Sequence, residues 1–422
     1  MAAVGSILGG VRLAALGVIA TIASGACQSP PSSPDAALAD PVTYHETVAP
    51  LLARHCSGCH REGGVAPFPL TTYDDASELA DQIARVTSLR IMPPWPSDSS
   101  GACGTFIGQR WLSETEIEQL GAWAAAGAPA GDPKTASPVP APPPMTPFNG
   151  TLSLGSDTAY VVRPGPDEYR CFVVDPGLAA DHYITAMAAE LDRAEVVHHI
   201  QLFVVEDEAA ELEVDARVAA DPEPGYGCDN EGVGDGLRWI GAWAPGDTVR
   251  RWTTGTGVQV PAGRRLVVQL HYHNHTGEPV LDHTRLGLEL AASVDKVGDF
   301  LSDANRALRL PPGRDRVEVT GVHPVTLDAP IWARGARIHM HNLGVEGRLE
   351  LVRDDKATCL LSIPRWDFNW QLFYLFEQPI EILPGDQIRL RCTYDTRSVS
   401  EPVIWGISTD DEMCIGYTYV TR

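Results

Sequence analysis

The chain has 422 residues and a formal net charge of −23 at pH 7, with 44% hydrophobic and 21% charged residues. This length is sufficient for two or three domains with separate cores, and the composition excludes a wholly disordered protein. Because nucleic acid and anionic membrane surfaces repel a strongly negative chain, neither is expected as a partner.

Residues 1–27 have the pattern of an export signal. Arg12 is the only charged residue among the first 34, and an apolar run of fewer than the ~20 residues needed for a membrane span follows it. Cys27 follows Ser-Gly-Ala and precedes a polar tether over 28–40, which resembles a bacterial lipoprotein signal, although Ser24 stands where leucine is usual. The alternative is ordinary cleavage just before a free Cys27. We therefore expect an exported protein of the periplasm or cell envelope, attached to a membrane only if Cys27 is lipidated.

Residues 41–130 carry helical patterns. The stretch TYHETVAPLLARHC has apolar residues at helical spacing. The stretch SETEIEQLGAWAAAG opens with a capping box, Ser113 with Glu116, and ends at Gly127. We predict one helix from each stretch.

Between these helices, the sequence CSGCH is the attachment signature of a c-type haem. Cys56 and Cys59 would form the thioether bonds, and His60 would be an axial ligand. A zinc site or a redox-active CxxC is the alternative. The histidine directly after the second cysteine, the export signal and the lack of a second CxxC favour haem.

Met92, in LRIMPPWP, is the predicted second axial ligand, because a thioether suits an electron carrier and raises its potential. The two following prolines would stiffen the loop. Packing of Met92 against the haem edge is the alternative role, and His45 and His55 are the runner-up ligands. A haem with two such ligands transfers electrons and leaves no position for oxygen. Residues 41–130 are thus predicted to form a small all-α cytochrome c domain.

The Pro/Ala-rich stretch 131–149 predicts a semi-rigid linker, and the chain after it predicts β-structure. Runs such as RLVVQLHYHNH, RVEVTGV, GARIHMH, GRLELVR and DQIRLRCTY alternate with period two between Gly, Pro, Asn and Asp. Long helical patterns are scarce there, so we predict an all-β sandwich region. A weak boundary near 290–300 divides it into residues 150–292 and 293–422.

The histidines after the linker fall mostly in three clusters. His339 and His341 would lie on one face of a strand and can converge on one ion. His198 and His199 are adjacent, so they can share a metal only if the strand ends or bends there. The third cluster has period-two spacing, which alone does not select a ligand among His271, His273 and His275.

Met413, in TDDEMCIGY, adds a thioether to these imidazoles. Soft sulfur favours Cu(I) and imidazole serves both oxidation states of copper, whereas zinc rarely takes methionine. Cys414 follows Met413, and a disulfide to Cys392 could fix the methionine. Without Cys27 and the two haem cysteines, an even number of cysteines remains, which suggests disulfides in an exported protein. These are Cys103, Cys171, Cys228, Cys359, Cys392 and Cys414.

Four ordered motifs, VVHHIQLF, QLHYHN, RIHMHNLG and DEMCIGY, resemble the copper type II, ascorbate-dependent monooxygenases over roughly residues 150–422. The resemblance implies two jelly-roll-like β-sandwich lobes that face each other across a cleft, each with one copper. It implies an electron-accepting copper bound by His198, His199 and His271. It implies an O2-activating copper bound by His339, His341 and Met413. It also implies a disulfide between Cys392 and Cys414.

The resemblance further implies two substrate contacts. Tyr417 would line the cleft, and Arg337 would bind a carboxylate, as in the peptide-hydroxylating members. Ile415 departs from the polar residue expected there, which weakens the implication of a carboxylate-bearing substrate. Pairing of Arg337 with a local carboxylate such as Asp411 is the alternative.

The predicted protein is therefore a cytochrome c fused to a copper monooxygenase, with two copper ions and one covalent haem c. It would hydroxylate a C–H bond of a small-molecule or peptide-like substrate with O2. Electrons from an ascorbate-like reductant or a redox protein would pass through the haem to the three-histidine copper. Fusion through the linker would raise the effective concentration of the haem without requiring a fixed interface. The rival hypotheses are a copper-binding electron-transfer protein without hydroxylase activity and a zinc-binding β-sandwich.

Overall fold

In the computed structural model, the residues with the helical pattern and those with the period-two pattern form separate parts of the protein. The structure describes residues 41–62, 66–140, 148–228, 233–244 and 249–422, with the backbone alone for Pro166. The predicted export signal, Cys27 and the tether lie outside the described residues, as does the middle of the predicted linker. In the part that is described, no helix is both long and apolar enough to cross a membrane.

Helices dominate the first ninety described residues. A π-helical turn, Tyr44–Val48, precedes α1 (Ala49–His55), α2 (Tyr73–Glu78), α3 (Ala80–Ser88) and α4 (Glu114–Ala125). The predicted capping box is confirmed, because Ser113 Oγ accepts a hydrogen bond from Glu116 N while the Glu116 carboxylate accepts one from Ser113 N. These helices pack around a small core that includes Leu52, Ile83 and Trp123. A 3₁₀ turn, Pro133–Thr135, follows.

The rest of the described chain is mostly β-structure, as predicted. Its first part comprises β1 (Leu152–Leu154), β2 (Tyr160–Val162), β3 (Gly165–Val174), β4 (His182–Glu190), β5 (Val197–Val205), α5 (Glu208–Ala220), β6 (Tyr226–Gly227), β7 (Leu237–Trp243), β8 (Val249–Arg251), β9 (Thr256–Val260), β10 (Leu266–Asn274), β11 (Val280–Asp282) and β12 (Arg285–Ala291). No sequence pattern predicted α5, which begins where Asp207 Oδ1 accepts a hydrogen bond from Ala210 N at 2.9 Å.

The second part contains the remaining predicted strands. It comprises β13 (Lys296–Ala304), β14 (Arg309–Leu310), β15 (Val317–Pro324), β16 (Ile331–His339), β17 (Gly344–Arg353), β18 (Lys356–Ile363), β19 (Tyr374–Ile382), β20 (Gln387–Tyr394), β21 (Val403–Ile404) and β22 (Ile415–Thr421). Each of the five period-two runs quoted above forms a strand, namely β10, β15, β16, β17 and β20.

One sheet runs through both halves of the β region. Among the described residues it has nine strands in the order β1-β12-β4-β9-β13-β22-β16-β19, with β8 paired to β4. A five-stranded sheet, β6-β3-β10-β5-β7, shares a buried core with its first half, and a four-stranded sheet, β15-β20-β17-β18, shares another with its second half. The halves join where β9 pairs in parallel with β13. Two β-sandwiches thus share one continuous layer.

The helical segment is attached to the second half by a fixed interface. Trp95 and Phe106 are buried in the core of that half, and Ile107 N donates to Leu375 O at 2.8 Å. A disulfide joins Cys103 to Cys359. The linker argument did not require such an interface, but residues that follow Met92 pack directly on the sandwich.

The two other disulfides in the described chain lie within single halves. Cys171 pairs with Cys228 in the first half. Cys392 pairs with Cys414 in the second, which confirms the pairing implied by the resemblance. Cys56 and Cys59 form no disulfide.

Candidate metal centres and the cavity between them

Three histidines converge at the ends of β5 and β10. His199 lies opposite His271 in the strand register, and a β-bulge follows, because Tyr272 pairs with Val197 and skips His198. The bulge turns His198 to the same side as its neighbour, which resolves the difficulty with adjacent strand residues. Their ligand atoms lie within 4.8 Å of one another, and His199 Nδ1 is 3.2 Å from His198 Nδ1 and 3.1 Å from His271 Nδ1. Such convergence is typical of a metal site.

Burial keeps the imidazoles of His198 and His199 neutral. It lowers the pKa of His198 to about 4 and the pKa of His199 well below its ordinary value, and neighbouring histidines lower both further. A neutral imidazole offers the lone pair that a metal needs, whereas a protonated one does not. His198 and His199 can therefore both bind a cation at neutral pH.

Asp167 orients His271 from outside the cluster. Its Oδ1 lies 2.6 Å from His271 Nε2, which leaves Nδ1 directed toward the other two histidines. Burial raises the Asp167 pKa, but the hydrogen bonds from His271 and Thr409 outweigh this and bring it to about 2. The ionised carboxylate is thus the natural acceptor for the imidazole N–H.

His273 and His275 lie outside this cluster. Their rings contact each other with centroids 3.8 Å apart, and His273 N donates to Val196 O at 2.8 Å. The bulge accounts for this separation, since it ends the regular alternation that would have aligned all three histidines of the run with His271.

A second set forms where β16 ends. His339 Nδ1 lies 2.5 Å from Gln371 Oε1, and His341 Nδ1 lies 3.0 Å from Asp411 O. With both Nδ1 atoms engaged, the Nε2 atoms remain available to a metal. The two rings are 5.2 Å apart, and Met413 lines the same cavity. Two imidazoles and a thioether suit copper better than zinc.

Glu412 holds the backbone of this second set. Its fully buried carboxylate accepts hydrogen bonds from His341 N at 2.8 Å, Leu343 N at 2.6 Å and Met413 N at 3.2 Å. Burial raises its pKa to about 7 despite these bonds. Tyr394 donates to Met413 O at 2.7 Å, and the disulfide of Cys414 follows. Met413 is therefore positioned by its neighbours on both sides.

A cavity of about 220 Å³ separates the two sets. It is lined by His199 from the first set and by His339, His341 and Met413 from the second. Both candidate centres therefore border one space.

The predicted substrate residues border the same cavity. Arg337 lies opposite Tyr417 in the strand register, and the Tyr417 ring stacks on Trp239 with centroids 4.5 Å apart. Arg337 donates to Gln371 Oε1 at 3.2 Å, the atom that also contacts His339. Ile415 lines the wall as an apolar residue.

The cavity lining also includes residues that no sequence pattern predicted, among them Trp239, Arg306 and Trp405. The Arg306 guanidinium lies 5.4 Å from the centroid of the Trp405 ring. None of the three belongs to a histidine motif, so no local pattern marked them. Only strand pairing across the two halves brings them to the cavity.

A second, larger cavity of about 500 Å³ lies in the helical segment. Cys56, Cys59, His60 and Met92 all line it, together with apolar residues such as Phe68 and Leu79. His60 Nδ1 lies 3.1 Å from Phe68 O, so its Nε2 remains free. His55 also lines the cavity, but its Nε2 lies 3.2 Å from Glu116 Oε1, and His45 is not among the lining residues.

One family model and several relatives match parts of the chain. Residues 292–420 match the model for the copper type II ascorbate-dependent monooxygenase, C-terminal domain. Tyramine beta-hydroxylase of Caenorhabditis briggsae is 24% identical over 243 residues, 53% of this chain and 39% of that protein. Dopamine beta-hydroxylase of Canis lupus familiaris is 23% identical over 195 residues, 43% and 31% of the respective chains. Peptidyl-glycine alpha-amidating monooxygenase B of Xenopus laevis is 25% identical over 292 residues, which cover 63% of this chain and 32% of that protein.

These matches support a relationship to the copper type II ascorbate-dependent monooxygenases. The chain spans about two fifths or less of the length of these three relatives. The matched family model coincides with the half that carries His339, His341 and Met413.

Proposed function

We propose that this protein is a copper-dependent monooxygenase that uses O2 to hydroxylate a C–H bond of its substrate. The observation that carries the proposal is the shared cavity, which His199 of the first set borders together with His339, His341 and Met413 of the second. A carrier of electrons needs one centre, whereas two centres that border one cavity suit a two-electron oxidation. The first copper would be held by His198, His199 and His271, and the second by His339, His341 and Met413.

Copper bound at the second set would supply the reduction of O2. The residues of the chain provide position and environment for that chemistry. Gln371 and the Asp411 carbonyl fix the two imidazoles in one tautomer, and Glu412 holds the backbone that carries Met413. A thioether ligand favours the reduced metal, which is the form that binds O2.

Substrate binding is assigned to other residues that line the same cavity. Tyr417 and Trp239 present a stacked aromatic surface, and the guanidinium groups of Arg337 and Arg306 both border the space. We propose an anionic substrate, small or peptide-like, with an apolar body. A cationic amine, as the names of two relatives imply for those proteins, would be repelled by the two arginines.

A covalent haem c is proposed for the helical segment, and the residues there fit the group. Two thiols, a free imidazole nitrogen and a thioether surround one apolar cavity. Burial, and then the neighbouring Cys59, raise the pKa of the Cys56 thiol to about 12, opposite to the low pKa of a redox-active CxxC. Cys56 and Cys59 would attach the haem, and His60 and Met92 would bind its iron. Its role would be to deliver electrons from an ascorbate-like reductant or a redox protein.

Export to the periplasm or cell envelope, with Cys27 as a candidate lipid attachment site, remains a proposal from the sequence. A Cys27→Ser variant tests it, since loss of membrane association with unchanged secretion is the expected result.

Quantitation of metal and haem in the purified protein tests the central proposal. Two copper ions and one haem per chain are expected, with O2 consumption coupled to a hydroxylated product when an anionic substrate is supplied. His339→Ala should abolish the product, whereas His283→Ala, an exposed histidine outside both sets, should leave it unchanged. Copper without any O2-dependent product would favour the electron-transfer rival. Zinc in place of copper would contradict the proposal.

A further inference from the structure

The segment from Arg365 to Gln371 connects the haem cavity with both candidate copper centres. It leaves β18 and crosses to β19, and its side chains reach in different directions. No motif in the sequence marked it. Its contacts with three separate sites are seen only in the folded chain.

At one end, the segment holds the helical part of the protein. Arg365 donates to the carbonyl of Leu89 at 2.6 Å and also to the carbonyl of Arg90. These carbonyls lie just before Met92 in the chain. Trp370 contributes to the wall of the cavity lined by His60 and Met92. This tryptophan comes from the second β half, whereas the other lining residues come from the helical segment.

At the other end, the same segment contacts ligands of both metal sets. The Phe368 ring stacks on His198 with centroids 4.8 Å apart and an interplanar angle of 23°, and it lies edge-on to His341 at 6.1 Å. Gln371 Nε2 donates to Phe368 O at 3.0 Å, while Gln371 Oε1 contacts His339. Trp370 N donates to Asp367 O at 3.0 Å, which closes a turn around Phe368. The two aromatic residues are thus held in one turn between the haem cavity and His198.

We propose that Trp370 and Phe368 form the electron path from the haem to the copper held by His198, His199 and His271. This inference rests on the proposed function, because it requires both cofactors. Each passage moves one electron from ferrous haem to Cu(II), which gives ferric haem and Cu(I) without breaking or forming a bond. Two such passages supply one hydroxylation, and the external reductant restores the haem. The fixed interface formed by Arg365 and the Cys103–Cys359 disulfide keeps this path at constant length.

The test follows a single electron placed on the haem of the full-length protein loaded with haem and copper. Under argon, a photochemical pulse reduces the ferric haem. The absorbance of the haem then reports its reoxidation by Cu(II), and loss of the Cu(II) EPR signal reports that copper has gained the electron. In the unsubstituted protein the ferrous signal should decay, and in copper-depleted protein it should persist. Trp370→Leu should slow the decay at least tenfold, and Trp370→Phe, which keeps an aromatic ring, should slow it less.

Two matched variants serve as controls. Asn369→Ala changes an exposed side chain within the same turn, and Trp332→Leu removes a tryptophan from β16 that contacts Lys296. In both variants, the ferrous haem signal should decay at the rate seen in the unsubstituted protein. Because replacement of Trp370 can alter haem loading, Phe368→Leu provides a second variant with the haem cavity unchanged, and it should also slow the decay.

The outcomes separate this inference from the function on which it rests. If the Trp370→Leu and Phe368→Leu variants carry full haem and copper and their ferrous haem signal decays at the unsubstituted rate, the proposed path through these residues is overturned. Electron transfer from haem to copper would still stand. If the unsubstituted protein shows no copper-dependent decay, the relay itself is overturned and the path with it.

Discussion

Asp167 and His271 are joined by a 2.6 Å hydrogen bond, and Asp167 also contacts the segment that precedes the second metal set. The other oxygen of Asp167 accepts hydrogen bonds from Thr409 N at 3.2 Å and Thr409 Oγ1 at 2.8 Å, in the loop that leads to Met413. One carboxylate of the first half therefore orients a candidate ligand of one centre and anchors the loop that carries a candidate ligand of the other.

Replacement of this carboxylate should weaken copper binding at the three-histidine site. Asp167→Asn should lower the affinity about 10- to 100-fold, since a lost acceptor releases the imidazole from its orientation. Copper titration of the apoprotein measures this effect. Asp175→Asn, at an exposed turn after β3, is the matched control and should bind as the unsubstituted chain does. An unchanged affinity in Asp167→Asn would show that the carboxylate does not orient the ligand.

Met413→Leu should remove copper selectively from the second site. Leucine keeps an apolar side chain of similar size but supplies no sulfur, so Cu(I) loses its soft ligand. We expect one copper per chain where the unsubstituted protein holds two, and loss of hydroxylation. Met187→Leu, in a buried core position, is the control and should keep both ions. Full loading of Met413→Leu would exclude the thioether as a necessary ligand.

Loss of the Cys103–Cys359 disulfide should loosen the helical segment. Removal of a native disulfide typically costs ~2–5 kcal/mol. Cys103→Ser with Cys359→Ser should lower the unfolding midpoint and expose the chain between Trp95 and Phe106 to limited proteolysis. The Cys171–Cys228 pair provides the comparison, because its removal should lower stability without new cleavage there. Equal protection of the helical segment in both variants would contradict its dependence on this disulfide.

Glu350 should stabilise the fold most at neutral pH. It is buried in β17 and accepts hydrogen bonds from Arg348 at 2.8 Å, Arg389 at 2.8 Å and Arg391 at 2.9 Å. Burial raises its pKa, but the arginines outweigh this and bring it to about 2, below the ordinary 4.5. Its contribution is therefore present above pH ~4.5 and is lost as the pH falls toward ~2.

The Glu350→Gln variant tests that contribution. It should lose ~2–3 kcal/mol at pH 7, since three partly exposed arginines then lack their shared anion. Urea unfolding at pH 7 and at pH 3 measures the difference, which should shrink at the lower pH. A loss that is equal at both values would show that the charge of Glu350 is not responsible.

Asp303 should have the opposite pH dependence. Burial raises its pKa from 3.8 to about 7, and its Oδ2 is buried without a hydrogen-bond partner among the described residues. As the pH rises, the Asp303 carboxyl loses its proton at a lower pH in the unfolded chain than in the folded chain. The free energy of unfolding therefore falls as the pH rises from ~4 to ~7. Asp303→Asn should raise the free energy of unfolding at pH 8 by ~1–2 kcal/mol, the shift being discounted because the side chain is only partly buried. Thermal unfolding at pH 8 and pH 4 tests this, and the gain should vanish at pH 4.

Local patterns predicted the secondary structure around the site well. The capping box at Ser113 and the period-two runs of β10 and β16 depend on neighbours within a few residues, and each formed as expected. Helix α5 was missed because its polar surface has little apolar periodicity. The fixed interface at Cys103 was missed because its partner lies 256 residues away in sequence.

The sequence by itself determined which chemical groups are present: the CSGCH segment, the imidazoles of His339 and His341 at the end of β16, and the thioether of Met413. Only the tertiary structure decided which groups meet. The β-bulge beside His198 turns adjacent histidines to one side, and the pairing of β16 with β22 places Arg337 opposite Tyr417. The turn around Phe368 comes to lie between the cavity lined by His60 and Met92 and the ring of His198. The physical reason is that local sequence patterns reveal which chemical groups are present and which secondary structure carries them. Which of these groups come together depends on strand register and on packing between segments that are distant in sequence.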